Sequence, residues 1–196
     1  MAVTAVFLDV GETLADETEY WGSIADRLEI PRLTFFAVAG ALIARGERDH
    51  RRIFELFGAE RVNGEPRFVL YPDALPCLER LREVGYFVGL AANQPDWAEG
   101  ALREAGVDVD VVATSAGWGV QKPSPEFFAR IVEAAGRPAG EIAYVGDRVD
   151  NDVDPALEAG LVAVHIRRGP WGHIQPGRER ADVRIDSLDE LPEALP

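Results

Sequence analysis

Asp9 closes the apolar run in "AVFLDVGETL", and Asp147 closes "IAYVGD", with Asp150 and Asp152 close behind it in "GDRVDND". Asn93 follows "GLAA", and Lys122 sits in the turn "VQKPSPEFF". Carboxylates gathered at one place repel one another and raise each other's pKa unless a cation intervenes. A hard divalent ion such as Mg²⁺ answers that need. It prefers oxygen ligands, uses one or two carboxylates, and leaves its other positions to water and substrate phosphate. Lys122 is a second source of positive charge, held outside the following helix by Pro123.

These groups meet only if the runs that carry them are parallel strands ending at one edge. Residues 3–10, 87–93, 142–147 and 161–166 are continuous apolar runs, and 109–114 is a weaker fifth. Continuous rather than alternating runs mark strands covered on both faces. Helical patterns lie between them. The stretch 71–85 carries Leu75, Leu78 and Leu81 on one side and closes on Gly85; 95–106 runs from Pro95 to Gly106. The stretch 124–136 has Ser124 as its N-cap, and 152–160 is shorter. "ADVRIDSLDEL" reads as an edge strand and a last helix capped by Ser187. Such alternation predicts an α/β fold with right-handed crossovers.

Residues 15–70 break the alternation, and no strand is evident there. The stretches 18–30, 32–46 and 49–58 read as helices. The middle one spaces Phe36, Ala39, Leu42 and Ile43 to pack with one another. The expected fold is a Rossmann-like parallel sheet core flanked by helices, over 1–14 and 71–196. A small all-α cap, 15–70, is inserted after the first strand. It would lie over the carboxyl edge of the sheet, where α/β proteins bind ligands. A lid there excludes water and selects substrates.

The ordered set "FLDVGETL", "AAN", "KPSPEFF" and "VGDRVDND" followed by "ALEAG" resembles the haloacid dehalogenase-like (HAD) hydrolase superfamily across 1–14 and 71–190. Residues 15–70 resemble the cap of its helical-cap (C1-type) subgroup. The resemblance implies a covalent mechanism in which Asp9 attacks phosphorus and forms an aspartyl-phosphate. It implies Mg²⁺ on the Asp9 and Asp147 side chains and the Gly11 carbonyl. Asp152 would hold the metal's waters or Lys122, and Lys122 would pair with Asp9 and a phosphate oxygen. Thr13 would order the loop through its hydroxyl. Backbone N–H groups around Val10, Gly11, Ala92 and Asn93 would cradle the phosphate.

Two positions depart from the family's pattern. Its phosphatases usually read D-x-D-G-T, and here the run is Asp9-Val10-Gly11-Glu12-Thr13. The second Asp is the family's general acid, and Gly11 has no side chain; losing such help costs roughly 10²–10⁴ in rate for a poor leaving group. Glu12 stands one residue further on and is expected to face outward. The family's Ser or Thr before the Asn is Ala92 here, which removes a hydroxyl donor. The expected activity is therefore a Mg²⁺-dependent phosphatase-type hydrolysis of a small phosphorylated metabolite, with a weakened general acid. Two alternatives stay open. One is a metal-free 2-haloacid dehalogenase-type hydrolase, against which Asp147 speaks and for which Arg27, Arg32, Arg45, Arg48, Arg51 and Arg52 supply candidate carboxylate ligands. The other is a degenerate member that binds without turnover, favoured by the losses at Gly11 and Ala92.

The bulk composition fits this reading. The chain has 196 residues, 47% of them hydrophobic, which is enough to bury a substantial core. A net charge of −14 argues against a nucleic-acid or anionic-membrane partner; the small phosphorylated partner is what the resemblance implies. The start "MAVTAVFLDV" has no basic stretch before a long apolar one, so no signal peptide is expected. No run reaches the ~18 apolar residues of a membrane span. Cys77 is the single cysteine and lies in a helical pattern, which suits a reducing, cytoplasmic setting. The segment "RRGPWGHIQPG" reads as a surface loop with a packed Trp171, although Arg167, Arg168, Trp171 and His173 could rim the site. Oligomeric state is not legible.

Overall fold

The computed structural model describes residues 2–49, 51–64 and 68–196. Among them are eight strands: β1 (Ala5–Leu8), β2 (Ala15–Asp16), β3 (Val69–Leu70), β4 (Phe87–Ala92), β5 (Val111–Thr114), β6 (Ile142–Gly146), β7 (Val162–Ile166) and β8 (Val183–Ile185). The α-helices are α1 (Thr18–Arg27), α2 (Arg32–Ala44), α3 (Arg52–Leu56), α4 (Ala74–Val84), α5 (Ala98–Glu104), α6 (Ser115–Trp118), α7 (Pro125–Ala135), α8 (Asp154–Glu158), α9 (Gly169–Ile174) and α10 (Leu191–Ala194).

Six strands form one parallel sheet in the order β5-β4-β1-β6-β7-β8. Counting only these strands, that is the doubly wound order 3-2-1-4-5-6, whose switch point lies between the first and fourth. Leu8 is in register with Leu90 of β4 and Val145 of β6. The residues just past β1 and β6, Asp9 and Asp147, therefore leave neighbouring strand ends at the switch point.

The apolar runs are continuous because both faces of the sheet are covered. Val6 and Leu8 pack with Cys77, Leu78 and Leu81 of α4. Ala5 and Phe7 face the other way, onto Phe127, Phe128 and Ile131 of α7. The α4 stripe is Ala74, Cys77, Leu78 and Leu81, spaced i, i+3, i+4, i+7. Leu75 was expected on that stripe but is 38% exposed, one residue out of phase. Gly85 closes α4 with φ 99°, in the left-handed conformation that glycine adopts freely. Ser124 caps α7 by accepting from the Glu126 N–H at 3.3 Å.

Helices α1–α3 share their own apolar cluster, built on Ile24, Ala25, Phe35, Ile53 and Phe54. Three expectations for this segment are corrected. Phe36, Ala39 and Leu42 are only partly buried, and with Ile43 they line a cavity instead of packing solely on one another. The third helix is Arg52–Leu56 rather than 49–58, and His50 within that stretch lies outside the described residues, as do 65–67. A pair of strands is present: β2 and β3 run antiparallel, Ala15 opposite Leu70, and tie the start of the segment to its end. A two-residue strand carries no readable period. The stretch expected as a loop after β7 contains the short helix α9. No described helix is long and apolar enough to cross a membrane.

Candidate active site

The turn after β1 is set by two carbonyls. Asp9 N donates to Val145 O at 2.9 Å, which locks the end of β1 to β6. The Val10 carbonyl then accepts from Leu14 N and Ala15 N, each at 2.9 Å. The Thr13 hydroxyl, expected to order this loop, is buried and has no hydrogen-bond partner among the described residues. Backbone bonds to Val10 do that work, and the Thr13 carbonyl accepts from Arg168 Nη1 at 2.9 Å.

Beyond β6 the chain makes one π-helical turn, Val149–Val153. That turn brings Asp152 back under the end of β6, where a side chain on Gly146 would collide with its carboxylate. Both Asp152 oxygens are engaged: Oδ2 accepts from Arg148 N at 3.0 Å, and Oδ1 lies 2.5 Å from Lys122 Nζ. The same Nζ is 2.8 Å from Asp9 Oδ1. Lys122 is 2% exposed, and its ammonium lies 5.4 Å from the centre of the Tyr144 ring. Burial alone would lower its pKa, but Asp152 and Asp9 outweigh burial and hold it well above the ordinary lysine value. It carries a fixed positive charge.

The Asn93 side chain has a positioning role that the sequence does not show. Its Oδ1 accepts from Lys122 N at 2.8 Å, and its Nδ2 donates to Lys122 O at 3.0 Å. The side chain grips the lysine's backbone at both polar atoms. Ala92 is buried at the end of β4 and Val10 is buried beside it in the core, so at both positions only backbone faces the site.

The third carboxylate is the uncompensated one. Asp147 is 2% exposed, and its Oδ2 has no partner among the described residues. Burial, then the charges of Asp152 and Asp9, push its pKa well above the carboxylate range. Oxygens of Asp9, Asp147 and Asp152 lie within 4.8 Å of one another. The Gly11 carbonyl accepts no backbone hydrogen bond among the described residues. An all-oxygen donor set around a buried, unpartnered carboxylate fits a hard divalent cation. Asp9, Asp147 and Gly11 have free oxygens to offer it, whereas Asp152 is committed to Lys122 and Arg148.

Two glutamates flank the loop. Glu12 has φ 52°, a left-handed conformation uncommon for a residue with a side chain. Its expected outward orientation is corrected: it is 8% exposed, with Oε2 accepting from Tyr71 Oη at 2.6 Å and Oε1 from Glu17 N at 2.9 Å. Glu17, which the sequence reading passed over, lies at the start of α1. Trp21 Nε1 donates to its Oε2 at 3.0 Å. Burial, with the charges of Glu12 and Asp9, pushes its carboxyl up to about 7.

Above these residues is a cavity of about 1310 Å³ between α1–α3 and the carboxyl edge of the sheet. Trp21, Phe36 and Leu42 line it from the helical segment, and Asp9, Lys122 and Asp147 line it from the sheet. Trp171 also reaches it, with the Arg148 guanidinium stacked 3.8 Å from its ring centre. Arg148 pairs with Asp150 at 3.0 Å and donates to the Arg48 carbonyl at 3.0 Å, bridging the sheet to the helical segment. Arg167 and Arg168 do not rim the site, since they pair with Asp186 and Asp73.

Comparison with known proteins identifies the family. A glyceraldehyde 3-phosphate phosphatase of Methanopyrus kandleri is 37% identical over 130 residues, 62% of this chain and 54% of that protein. The chain spans about half the length of the first curated relatives it matches. A solved HAD phosphatase from Thermococcus onnurineus covers 97% of both chains at 27% identity with a TM-score of 0.65. The L-2-haloacid dehalogenase of Xanthobacter autotrophicus superposes with a TM-score of 0.70 at 19% identity over 97% of each chain, a likeness of fold alone. The haloacid dehalogenase-like hydrolase family model matches residues 3–160, from just before β1 to just past α8. That match spans most of the chain, and the chain belongs to the haloacid dehalogenase-like hydrolase family.

Proposed function

We propose that this chain is a Mg²⁺-dependent phosphatase-type hydrolase of a small phosphorylated metabolite, with Asp9 as nucleophile and residues 15–70 as a cap on a core of 1–14 and 71–196. The observation that carries the reading is Lys122 held between Asp9 and Asp152 beside the unpartnered Asp147. Mg²⁺ would be held by Asp9, Asp147 and the Gly11 carbonyl, and when bound it offsets the repulsion between carboxylate and phosphate. Asp9 attacks phosphorus, and its carboxylate replaces the ester oxygen to give an aspartyl-phosphate. Lys122 supplies positive charge to the nucleophile and to a non-bridging phosphate oxygen. Asp152 and Asn93 keep Lys122 in place from opposite ends, one at the ammonium and one at the backbone.

A metal-free displacement of halide gives the buried Asp147 no partner, whereas phosphate chemistry does. The phosphatase names of the Methanopyrus and Thermococcus relatives support the same choice. The apolar cap residues that line the cavity leave room for a small organic group beyond the phosphate. A cytoplasmic setting suits the single, buried, free Cys77. The test is a paired assay of inorganic phosphate release from small phosphate esters with Mg²⁺ and of halide release from 2-haloacids, with Asp9→Asn as control. Phosphate release that Asp9→Asn abolishes is the expected result. Halide release without phosphate release would overturn the reading.

A further inference from the structure

A phosphate ester leaves as an alcohol, so its bridging oxygen must gain a proton as the P–O bond breaks. Position 11, two residues past the nucleophile, has no side chain to supply one. Five carboxyls of the site, Glu12, Glu17, Asp147, Asp150 and Asp152, can be sorted by what already holds them. Glu12 has both oxygens taken, by Tyr71 and by Glu17 N. Asp152 is held by Lys122 and Arg148, and Asp150 by Arg148 and Gln175. Asp147 belongs with the metal. Glu17 differs from all of these. Trp21 Nε1 fixes one oxygen, Oε2, at 3.0 Å, and Oε1 accepts no hydrogen bond among the described residues.

The placement of that Oε1 is specific. A Cβ built on Gly11 would lie 2.5 Å from Glu17 Oε1, 2.8 Å from its Cδ and 3.2 Å from Oε2. The Glu17 carboxyl fills the space that a side chain at position 11 would take. Gly11 is what makes that space: its backbone is not left-handed, so the absent side chain serves the approach of Glu17 and not a turn conformation. The β2–β3 pair and the start of α1 deliver the carboxyl, because Glu17 is the residue between β2 and α1.

We infer that Glu17 is the proton-transfer residue of this site, supplied from the base of the helical segment in place of a side chain at position 11. The inference rests on the phosphatase reading above. In the first step Asp9 forms the new bond to phosphorus, the bridging P–O bond breaks, and the Glu17 proton passes to the departing oxygen, which leaves as an alcohol. In the second step water attacks the phosphorus of the aspartyl-phosphate. Glu17, now a carboxylate, takes a proton from that water. Asp9 leaves as a carboxylate, inorganic phosphate is released, and Glu17 is protonated again. No oxidant or further reactant is needed.

The test compares p-nitrophenyl phosphate, whose leaving group needs little protonation, with glycerol 3-phosphate, whose alkoxide must be protonated. Glu17→Gln keeps the acceptor for Trp21 and removes the transferable proton. It should lower kcat on glycerol 3-phosphate by roughly 10²–10⁴. On p-nitrophenyl phosphate it should release about one equivalent of p-nitrophenolate per enzyme in a burst, then turn over slowly as the intermediate waits for a base. Gly11→Asp alone should inactivate, since its side chain meets the Glu17 carboxyl. Gly11→Asp with Glu17→Ala should recover turnover of glycerol 3-phosphate, and this variant keeps the inference testable if Glu17→Gln folds poorly. A wild type that hydrolyses both esters while Glu17→Gln matches it on glycerol 3-phosphate overturns this inference alone. A wild type inert towards both esters overturns the phosphatase reading and the inference with it.

Discussion

Lys122 Nζ lies 2.8 Å from Asp9 Oδ1, with the lysine side chain 1% and the aspartate side chain 12% exposed. An ion pair this dry is costly to break from one side, because the charge left behind has no water to receive it. Asp152, bonded to the same ammonium, would be stranded along with Asp9. Lys122→Met should therefore lower unfolding free energy by about 3–5 kcal/mol. It should also cut turnover by roughly 10²–10³, the range seen when one pre-placed donor to a developing charge is lost. Urea unfolding and steady-state assays read the two effects separately. A variant with wild-type stability would show that the pair contributes no net stability to the fold.

Asp147 predicts the opposite sign in the metal-free protein. Its carboxylate is buried beside two others and has an unpartnered oxygen, so its charge destabilises the fold until a cation arrives. Millimolar Mg²⁺ should raise the melting temperature of the wild type through mass action, by about 2.7 kcal/mol of stability at a hundredfold excess over Kd. Asp147→Asn should melt at or above the wild type without Mg²⁺ and show no shift with it. An undiminished Mg²⁺ shift in Asp147→Asn would place the cation elsewhere.

Much of this site was legible in the sequence because its groups sit at strand ends. Asp9, Asn93 and Asp147 follow apolar runs, and parallel strands must bring such ends to one edge. Lys122 was legible by its place before Pro123 and a capped helix. What was not legible depends on where side chains fold back. Asn93 read as part of the phosphate cradle, and nothing in the sequence shows that its side-chain amide also holds the backbone of a residue far away in the chain. Glu17, in "ADETEYW", carries no signal in the sequence that sets it apart from its neighbouring acids. Its meaning depends on a gap at Gly11 and on two strands of two residues each, and neither leaves a periodic trace. In α4 Leu78 and Leu81 are buried as expected, and only Leu75 was misplaced, its turn of the stripe being filled by Ala74 and Cys77.

The grip of Asn93 on Lys122 makes a prediction that separates positioning from substrate binding. Asn93→Ala removes two hydrogen bonds to the lysine's backbone, each worth about 0.5–1.5 kcal/mol. Stability should fall by about 1–3 kcal/mol. Because the lysine's ammonium is then less well placed, kcat should fall while KM changes little. A rise in KM with unchanged kcat and unchanged stability would make Asn93 a direct phosphate ligand instead.

His165 sets part of the acid limit of the fold. It is 0% exposed on β7, and its Nδ1 accepts from Arg178 Nε at 3.2 Å. Burial, and then the Arg178 charge, press its pKa down to about 4, although Asp186 pulls the other way. The unfolded chain takes up this proton near pH 6.5, whereas the folded chain resists until about pH 4. Between those values the unfolded state binds more protons, so stability is lost as pH falls through that window. The loss from this one group is about 2 kcal/mol at pH 5. His165→Gln keeps an acceptor for Arg178 but cannot titrate. Its unfolding free energy, read by urea denaturation, should therefore fall less between pH 7 and pH 5 than the wild type's, by about 2 kcal/mol, whatever its stability at pH 7. Parallel losses in the two proteins would assign the acid sensitivity to the carboxylates.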